Sequence, residues 1–588
     1  MNIIGISAFF HDSACCLMQD GRLVAAAEEE RFTRRKHDSG IPSAAFRYCL
    51  REGGITIADV DCVAYYEDPC KKLARQLWSS SDLSPLGNAG LLRRLDPGRV
   101  EREIRQKLKW DGAIEIVDHH LSHAASSFYF SGFEEAALLT VDGVGEWTST
   151  AFGSGAGDGI RFFKEIQFPD SIGLLYTTLT TYLGFAANDG ECKVMGLAPY
   201  GRPVHLDQIN QLGQAGQDGE LRLDLTYFDF LRDDRMYSEA LPQLFGRPPR
   251  RRHEELEPFH ADVASSLQCW LEAALLDHAR YVHRMTGSRN LCLAGGVALN
   301  CVANGKIARE GPFQRVFVPP AAGDGGGAIG AAAVAHVRRA PGNPCAPLSH
   351  AYLGPAFSPA DIARLIAATG FPACDFRERE SGLLEETARR LEAGQVVAWF
   401  QGRMEYGPRA LGSRSLLADA RRPEMRDHIN ALVKKREAFR PFAPAVLEQE
   451  ASRHFDLDHP SPYMLETCYV RSPLTLPAIS HVDGSARVQT VNENTNPRFA
   501  SLLHVFGRRT GYPLLLNTSF NMRDEPIVCT PKDALICFLR SGVDALVLGD
   551  FLLDRDDCSQ SRVRPVVDRL CGAAPASSSP SDTAYTLW

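Results

Sequence analysis

Two α/β domains in one chain are predicted by three features of the sequence. Short apolar strands broken by Gly- or Asp-bearing turns open the chain and recur after Ala137. Amphipathic helical stretches then alternate with further strands. A Pro-rich, aperiodic stretch between Arg338 and Pro355 divides the two regions. A chain of 588 residues also exceeds what one hydrophobic core serves.

The first elements read as Ile3 to Ser7, a turn through Phe10-His11-Asp12-Ser13, Ala14 to Met18, the turn Gln19-Asp20-Gly21, and Leu23 to Ala27. The same strand-turn-strand-turn-strand order returns in Ala137 to Val141, Ser149 to Gly153 and Ile160 to Ile166. A duplicated β-meander with a Gly-bearing first turn is how the actin, sugar-kinase and Hsp70 ATPase superfamily grips a nucleotide between two lobes. Ala261 to Thr286 carries an apolar helical stripe through Val263, Leu267, Leu271, Ala274, Leu275, His278 and Val282. It leads to the strand Leu291 to Ala294 and the turn Gly295-Gly296-Val297-Ala298-Leu299-Asn300, whose backbone N–H groups suit phosphate or adenine. Beyond the junction the pattern predicts helices over Pro359 to Thr369 and Gly382 to Ala393, the strand Val396 to Phe400, an amphipathic helix Pro423 to Val433 and the strand Pro513 to Leu516. The expected domains are residues 1–345 and 353–570, with a disordered Ala/Ser/Pro-rich tail at 571–588.

Composition narrows the function classes. Hydrophobic content of 44% and charged content of 23% are those of an ordinary soluble globular protein. A formal net charge of −8 argues against a nucleic-acid partner, and the densest basic cluster, Arg250 to Arg252, reads as a solvated loop. No run reaches the ~20 apolar residues needed to span a bilayer, and the chain starts without a basic n-region, so a cytoplasmic protein with no membrane partner is expected. The 16 scattered cysteines include no CxxC pair, which predicts reduced thiols.

The most telling chemistry lies in Asp118-His119-His120-Leu121-Ser122-His123. With a strand over Ile114 to Val117 and a helix from Asp118, His119 and His123 stand at i and i+4 on one face, where two imidazoles can share a cation. Asp142, at the tip of the following strand, offers the hard oxygen of a mixed nitrogen and oxygen site of the kind that suits iron, zinc or manganese. Asp324 offers a further acid in Gly323-Asp324-Gly325-Gly326-Gly327, whose glycines would let backbone approach a phosphate.

Three stretches of the second half are competent to bind anions. Gly402 to Ser415 places three arginines and three glycines in one loop. In an extended strand Lys434 and Arg436 point to one side and can clamp an oxyanion. Asn517-Thr518-Ser519-Phe520-Asn521 follows an apolar strand and offers hydroxyl and amide donors.

On Phe10 to Ala14, His119 to His123, Val141-Asp142-Gly143, Val194 to Gly201, Gly295 to Asn300, Gly407 to Gly412, Arg440 to Pro444 and Asn517 to Asn521, the chain resembles the NodU/CmcH family of O-carbamoyltransferases over roughly residues 1 to 565. The resemblance implies an N-terminal lobe pair like that of the tRNA threonylcarbamoyltransferase and a C-terminal YrdC-like α/β domain. It implies a reaction in which carbamoyl phosphate and ATP, with Mg²⁺, give carbamoyl-adenylate in the C-terminal domain. The carbamoyl group then passes in the N-terminal domain to a hydroxyl of a small-molecule acceptor, such as an antibiotic or other secondary metabolite. Lys434, Arg436, Ser519 and Asn521 match the KxR and SxN patterns of YrdC-like domains, and Arg487 joins them in holding the phosphates. His119, His123, Asp142 and Asp324 match the family's ligands, with Fe²⁺ favoured among divalent transition metals. Gly143, Gly295, Gly296 and Asn300 fall in the nucleotide-binding turns. His11, with a reference pKa of about 6.5, is the expected general base, and Arg31 and Lys36 are candidates to line the acceptor cleft. The rival classes are an ATP-driven actin or Hsp70-type binding module, which the paired histidines and the second anion-binding region disfavour, and a tRNA threonylcarbamoyl-modifying enzyme, which the acidic charge disfavours.

Overall fold

The computed structural model describes residues 1–79, 96–230, 235–434, 437–558 and 560–571. The tail expected to be disordered lies, from 572 onward, outside the described residues. The chain forms two compact units. Of the described residues, one holds Met1–Glu29 and Ser39–Leu348; the other holds Glu30–Asp38 together with those from Ser349 to Cys571.

In the first unit, β1 (Asn2–Ser7), β2 (Ala14–Gln19) and β3 (Arg22–Glu28) form an antiparallel meander, while β4 (Cys62–Tyr65) runs parallel to β1 and β5 (Ile114–Ile116) parallel to β4. The sheet order is 3-2-1-4-5. The meander of β6 (Glu135–Val141), β7 (Thr148–Ala156) and β8 (Gly159–Gln167) repeats this plan. A small hairpin of β9 (Gly213–Gly216) and β10 (Glu220–Leu223) precedes β11 (Asn290–Ala294), parallel to β6, and β12 (Arg315–Phe317), parallel to β11. The second sheet therefore has the order 12-11-6-7-8, the same arrangement as the first. This duplicated, actin-like plan is the α/β fold that the repeated meander predicts, and it sets the carboxyl ends of β6 and β11 side by side.

The predicted Ala261 helix runs Pro258–Thr286. It starts earlier than the apolar stripe because Pro258 occupies its first turn and Glu257 N donates to His260 Nδ1 at 2.9 Å, closing a capping box.

The helix Asp324–Arg339 decides how the site is assembled. Its residues Asp324 to Val337 are all buried, so it is apolar on every side rather than amphipathic. Of the glycines read in sequence as a phosphate-approaching loop, Gly325 to Gly327 are helical, and at Gly326 and Gly327 the lack of a side chain is a packing requirement. A Cβ on Gly330 would lie 1.7 Å from the Ser122 carbonyl oxygen, and one on Gly326 would lie 2.0 Å from that of Ala321. Ser122 belongs to the helix His119–Phe128, so Gly330 marks where the two helices carrying the candidate ligands touch backbone to backbone.

The second unit is an α/β domain built on a mixed eight-stranded sheet: β13 (Cys374–Asp375), β14 (Val397–Phe400), β15 (Arg414–Ala418), β16 (Ala443–Leu447), β19 (Gln489–Val491), β20 (Leu514–Ser519), β21 (Ala545–Leu548) and β22 (Phe551–Asp554), in the order 13-22-21-14-15-20-16-19. A separate pair, β17 (Cys468–Tyr469) and β18 (Ser485–Ala486), lies outside it. Strand alternation divides the core between its two faces. Ala398, Phe400, Leu416, Leu514, Leu516, Leu546 and Leu548 pack on one side; Val397, Trp399, Leu417, Leu515, Ala545 and Val547 pack on the other. The helix Pro359–Thr369 stands where the sequence places it, and the next runs Glu380–Glu392. The helix expected over Pro423 to Val433 is instead Met425–Ile429 followed by a π-helical turn, Asn430–Lys434, a widened turn in which apolar positions no longer follow the α-helical period. Lys434 thus closes a helical turn rather than starting a strand. The segment Glu30–Asp38, remote in sequence, belongs to this unit: Arg34 donates to the carbonyls of Ile527 at 2.6 Å and Pro526 at 2.7 Å, and Phe32 packs by Met404 and Ala410. Among the described residues, no helix is long and apolar enough to cross a membrane.

Gly330→Ala should force two helix backbones apart and cost at least about 1–3 kcal/mol, read as a lowered melting temperature. Gly159→Ala, where the added Cβ meets only the Ala156 carbonyl oxygen at 3.4 Å, should leave the melting temperature unchanged.

Candidate functional site

His119 and His123 leave the same face of the helix His119–Phe128, and their Nε2 atoms stand 3.0 Å apart. Asp142, one residue past β6, brings Oδ2 to 2.9 Å from His119 Nε2 and 3.1 Å from His123 Nε2. Asp324, the first residue of its helix, places Oδ1 3.4 Å from His123 Nε2 and 3.7 Å from His119 Nε2. Ligand atoms held about 2.1 Å from one centre at tetrahedral or octahedral angles stand about 3.0–3.4 Å apart, so this spacing fits a single cation. Two neutral imidazoles and two carboxylates also carry the charge that offsets a divalent ion. The four residues picked out in the sequence are therefore brought together, and His120, between the two histidines, is turned away. Its Nε2–H donates to the Thr148 carbonyl at 2.8 Å and its Nδ1 accepts from the Thr140 hydroxyl at 2.6 Å, which makes it part of the packing.

Asp142 is fixed at its other oxygen. Oδ1 accepts the amides of Gly143 at 2.8 Å and Gly296 at 3.1 Å. Gly295 reaches this turn with φ of 98°, and a Cβ there would lie 2.2 Å from the Val141 carbonyl oxygen. The Gly295 amide donates to the Ala322 carbonyl. The amides of Gly143, Gly295 and Gly296, expected to face a nucleotide, are thus engaged within the protein, two of them on the candidate metal carboxylate. Asn300 is engaged as well: its side chain caps the helix Cys301–Glu310 by accepting from Ala303 N at 3.0 Å, and it pairs with Gln268 at 2.9 and 3.1 Å.

Electrostatics bind the cluster together. Burial pulls the His123 imidazole down, yet its hydrogen bonds to and the charges of Asp142 and Asp324 outweigh this and leave it pushed up to about 9. His119 is raised in the same way against burial and the neighbouring His123 charge. Burial would raise Asp142, but the two imidazoles hold it well below the usual carboxylate range. His120, desolvated and facing the His119 and His123 charges, falls to about 3. Ligation of a cation by these imidazoles would require them to give up those protons, so proton and metal compete for the site.

His11 lies in the connection between β1 and β2, its ring tilted 42° to that of Phe10 with the centroids 4.4 Å apart. Its Nδ1 sits 2.8 Å from Asp12 Oδ2. A proton on Nδ1, shared with the carboxylate, leaves Nε2 as the basic nitrogen of the ring.

In the second unit, Ser519 Oγ donates to Asn521 Oδ1 at 2.7 Å, and Asn521 Nδ2 to the Glu525 carbonyl at 2.7 Å, so these two anion candidates form one local pair. Arg487 follows β18 directly and is partly exposed. Arg436 and the Lys434 side chain lie outside the described residues. The Arg-rich loop serves a different end from the one its composition suggests. Buried Glu405 directs Oε1 at the amides of Leu411 at 2.7 Å, Ser413 at 2.7 Å and Arg414 at 3.1 Å, and so already fills the anion nest. Arg414 is fully buried, donates to the carbonyls of Gln401, Ser413, Pro355 and Gly402, and stacks 3.7 Å over Phe400. Arg31 is buried too, paired with Glu30 at 2.8 Å and donating to the Gly407 carbonyl at 3.0 Å within this unit.

Two acids escaped the sequence reading. Glu146 and Glu405 both bind backbone amides distant in sequence or folded back by a loop, and neither a period nor a spacing marks such a role. For Glu405 the one available signal was an acid embedded in a Gly- and Arg-rich loop.

Comparison with known proteins identifies the family. Residues 2–79 and 91–333 match the family described as Carbamoyltransferase N-terminus, and residues 388–555 match Carbamoyltransferase C-terminus. The chain is 43% identical to an uncharacterized protein of Synechocystis over 94% of this chain and 96% of the relative. It is 40% identical to nodulation protein NolNO of Sinorhizobium fredii, over 94% and 80% of the two chains. Nodulation protein U of Rhizobium tropici is 31% identical over 89% and 91%. Among solved structures, HypF of T. kodakarensis overlaps 57% of this chain and 48% of its own at 16% identity, with a TM-score of 0.31, too loose a match to bear on detail. Both domain matches and relatives spanning almost the full chain establish that this protein belongs to the carbamoyltransferase family.

Proposed function

We propose that this carbamoyltransferase works in two stages, one in each domain. In the C-terminal domain, water hydrolyses carbamoyl phosphate to carbamate and inorganic phosphate, and the carbamate oxygen attacks the α-phosphorus of Mg²⁺-bound ATP, giving carbamoyl-adenylate and pyrophosphate. Lys434, Arg436, Arg487, Ser519 and Asn521 are assigned to the phosphates there. In the N-terminal domain a small-molecule hydroxyl attacks the carbamoyl carbon, the bond to the adenylate oxygen breaks, and AMP leaves with the carbamate ester formed. The observation that carries this reading is the convergence of His119, His123, Asp142 and Asp324 on one point in the family's N-terminal domain. A divalent transition metal held by these four, with iron as the first choice, would supply Lewis acidity toward the acyl group. His11 takes the proton of the attacking hydroxyl on Nε2, with Asp12 holding the ring through Nδ1. A cytoplasmic enzyme acting on a secondary metabolite is the setting we propose. The rival of a nucleotide-driven binding module leaves unexplained a convergent metal-ligand set in a carbamoyltransferase domain.

The reading is tested by incubating the protein with ATP and carbamoyl phosphate and following carbamoyl-adenylate, AMP and pyrophosphate by mass spectrometry. Lys434→Ala should abolish adenylate formation and leave transfer from supplied carbamoyl-adenylate intact; loss of both in a folded variant would refute the division of labour. His119→Ala and Asp324→Ala should reverse the pattern, with adenylate still formed but bound metal and transfer lost together. Full metal content and normal transfer in either would remove these residues from the site.

His11→Asn keeps a polar group of similar reach that takes up no proton at neutral pH. Metal content and adenylate synthesis should persist while transfer falls at least about a hundredfold, the lower range of what a positioned base contributes. Transfer at the wild-type rate would make His11 a structural residue of the turn.

A further inference from the structure

The buried acid Glu146 lies in the turn after β6, four residues beyond Asp142, and is only 5% exposed. Its Oε1 accepts two backbone amides, from His119 at 2.9 Å and Asp68 at 2.7 Å. His119 is the first residue of its helix, so its N–H is one of the donors that a helix leaves without an internal partner. The residue before it, Asp118, makes no side-chain cap bond. Glu146 therefore caps this helix from a different part of the chain.

The ring of His119 explains why that matters. A metal-bound histidine ordinarily donates its second ring N–H to an acceptor that fixes the imidazole plane. The Nδ1 atoms of both His119 and His123 are buried without a hydrogen-bond partner. The His119 ring is instead confined by contact: Tyr66 lies 5.3 Å away between centroids, and a Cβ on Gly145 would lie 2.9 Å from His119 Cδ2. With no hydrogen bond at Nδ1 to turn the ring, the reach of Nε2 toward Asp142 depends on where the His119 backbone sits. That backbone is anchored by the carboxylate next to Gly145, on the same turn that carries Asp142.

We infer that Glu146 is the positioning residue of the candidate metal centre, holding through the backbone the imidazole that has no hydrogen bond at Nδ1. The inference rests on the metal reading proposed above. Glu146 touches neither the four ligand atoms nor, through them, the reacting group; it sets the distance between one imidazole and Asp142.

The test uses the full chain, stripped of metal with a chelator and titrated with Co²⁺, whose absorption reports both affinity and ligand geometry. Glu146→Ala should weaken Co²⁺ binding roughly 10–100-fold and change the visible spectrum. Glu146→Gln, which keeps an acceptor oxygen at the same reach and loses the charge, should bind within about threefold of wild type. Glu146→Asp, which keeps the charge and loses the reach, should be as weak as the Ala variant. Where Glu146→Ala fails to fold, the Gln and Asp pair decides. Wild-type affinity in folded Glu146→Ala or in Glu146→Asp, or a Gln variant as weak as Asp, would overturn the positioning role. A wild-type protein that binds no Co²⁺, or a His119→Ala variant that binds it fully, would instead overturn the metal reading and this inference with it.

Discussion

One carboxylate organises the N-terminal site. Asp142 is held at Oδ1 by the amides of Gly143 and Gly296 and turned at Oδ2 toward both His119 and His123. Burying a carboxylate costs several kcal/mol unless its lone pairs are satisfied, so these four contacts must form together. Each belongs to a different part of the fold: the end of β6, the turn after β11, and two successive turns of one helix. Because β6 and β11 are parallel neighbours, with Thr140 opposite Ala294, both turns emerge at the same edge of the sheet. Ligand sites in α/β sheets commonly lie there, beyond the carboxyl ends of parallel strands.

What was legible in the sequence is what depends on local spacing. The i and i+4 histidines, the acid ending an apolar strand and the duplicated meander each follow from helical or strand geometry, and the structure reproduces them. Roles that depend on a distant partner were not legible. Gly295 and Gly296 do form a tight strand-to-helix turn, but its amides are spent on Asp142 and Ala322 rather than offered to a phosphate. Asn300, which the resemblance places in a nucleotide-binding turn, has a side chain that caps a helix and pairs with Gln268. The glycines after Asp324 signal close approach, which is correct, but the approaching groups belong to the protein: the Ala321 carbonyl at Gly326 and the Tyr66 ring at Gly327.

The Arg-rich loop of the second unit illustrates the same limit. Three arginines and a string of glycines describe both a loop that receives an anion and one built around an anion of its own. Glu405 supplies that internal anion, and Arg414, buried among four carbonyl oxygens, is the complementary internal cation. A guanidinium offers five donors in a rigid fork, and such a fork can organise backbone carbonyls as effectively as it can hold phosphate. The loop is thereby a rigid frame. Arg487 and the Ser519–Asn521 pair, to which the proposed function assigns phosphate, lie outside this loop.

The separation of the two candidate ligand helices follows from the same close packing. His123 and Asp324 stand on helices whose backbones meet at Gly330 and Ser122, and the distance between their ligand atoms, 3.4 Å, is set by that contact. Metal–ligand distances tolerate only about 0.2 Å, less than the displacement that a methyl group at Gly330 would impose. The absence of a side chain at Gly330 is therefore as much a condition of the four-ligand geometry as the presence of any one ligand. It also explains why Asp324 can serve from the first turn of a helix that is buried on all sides: the helix has no room to shift, so its first residue is presented in one place.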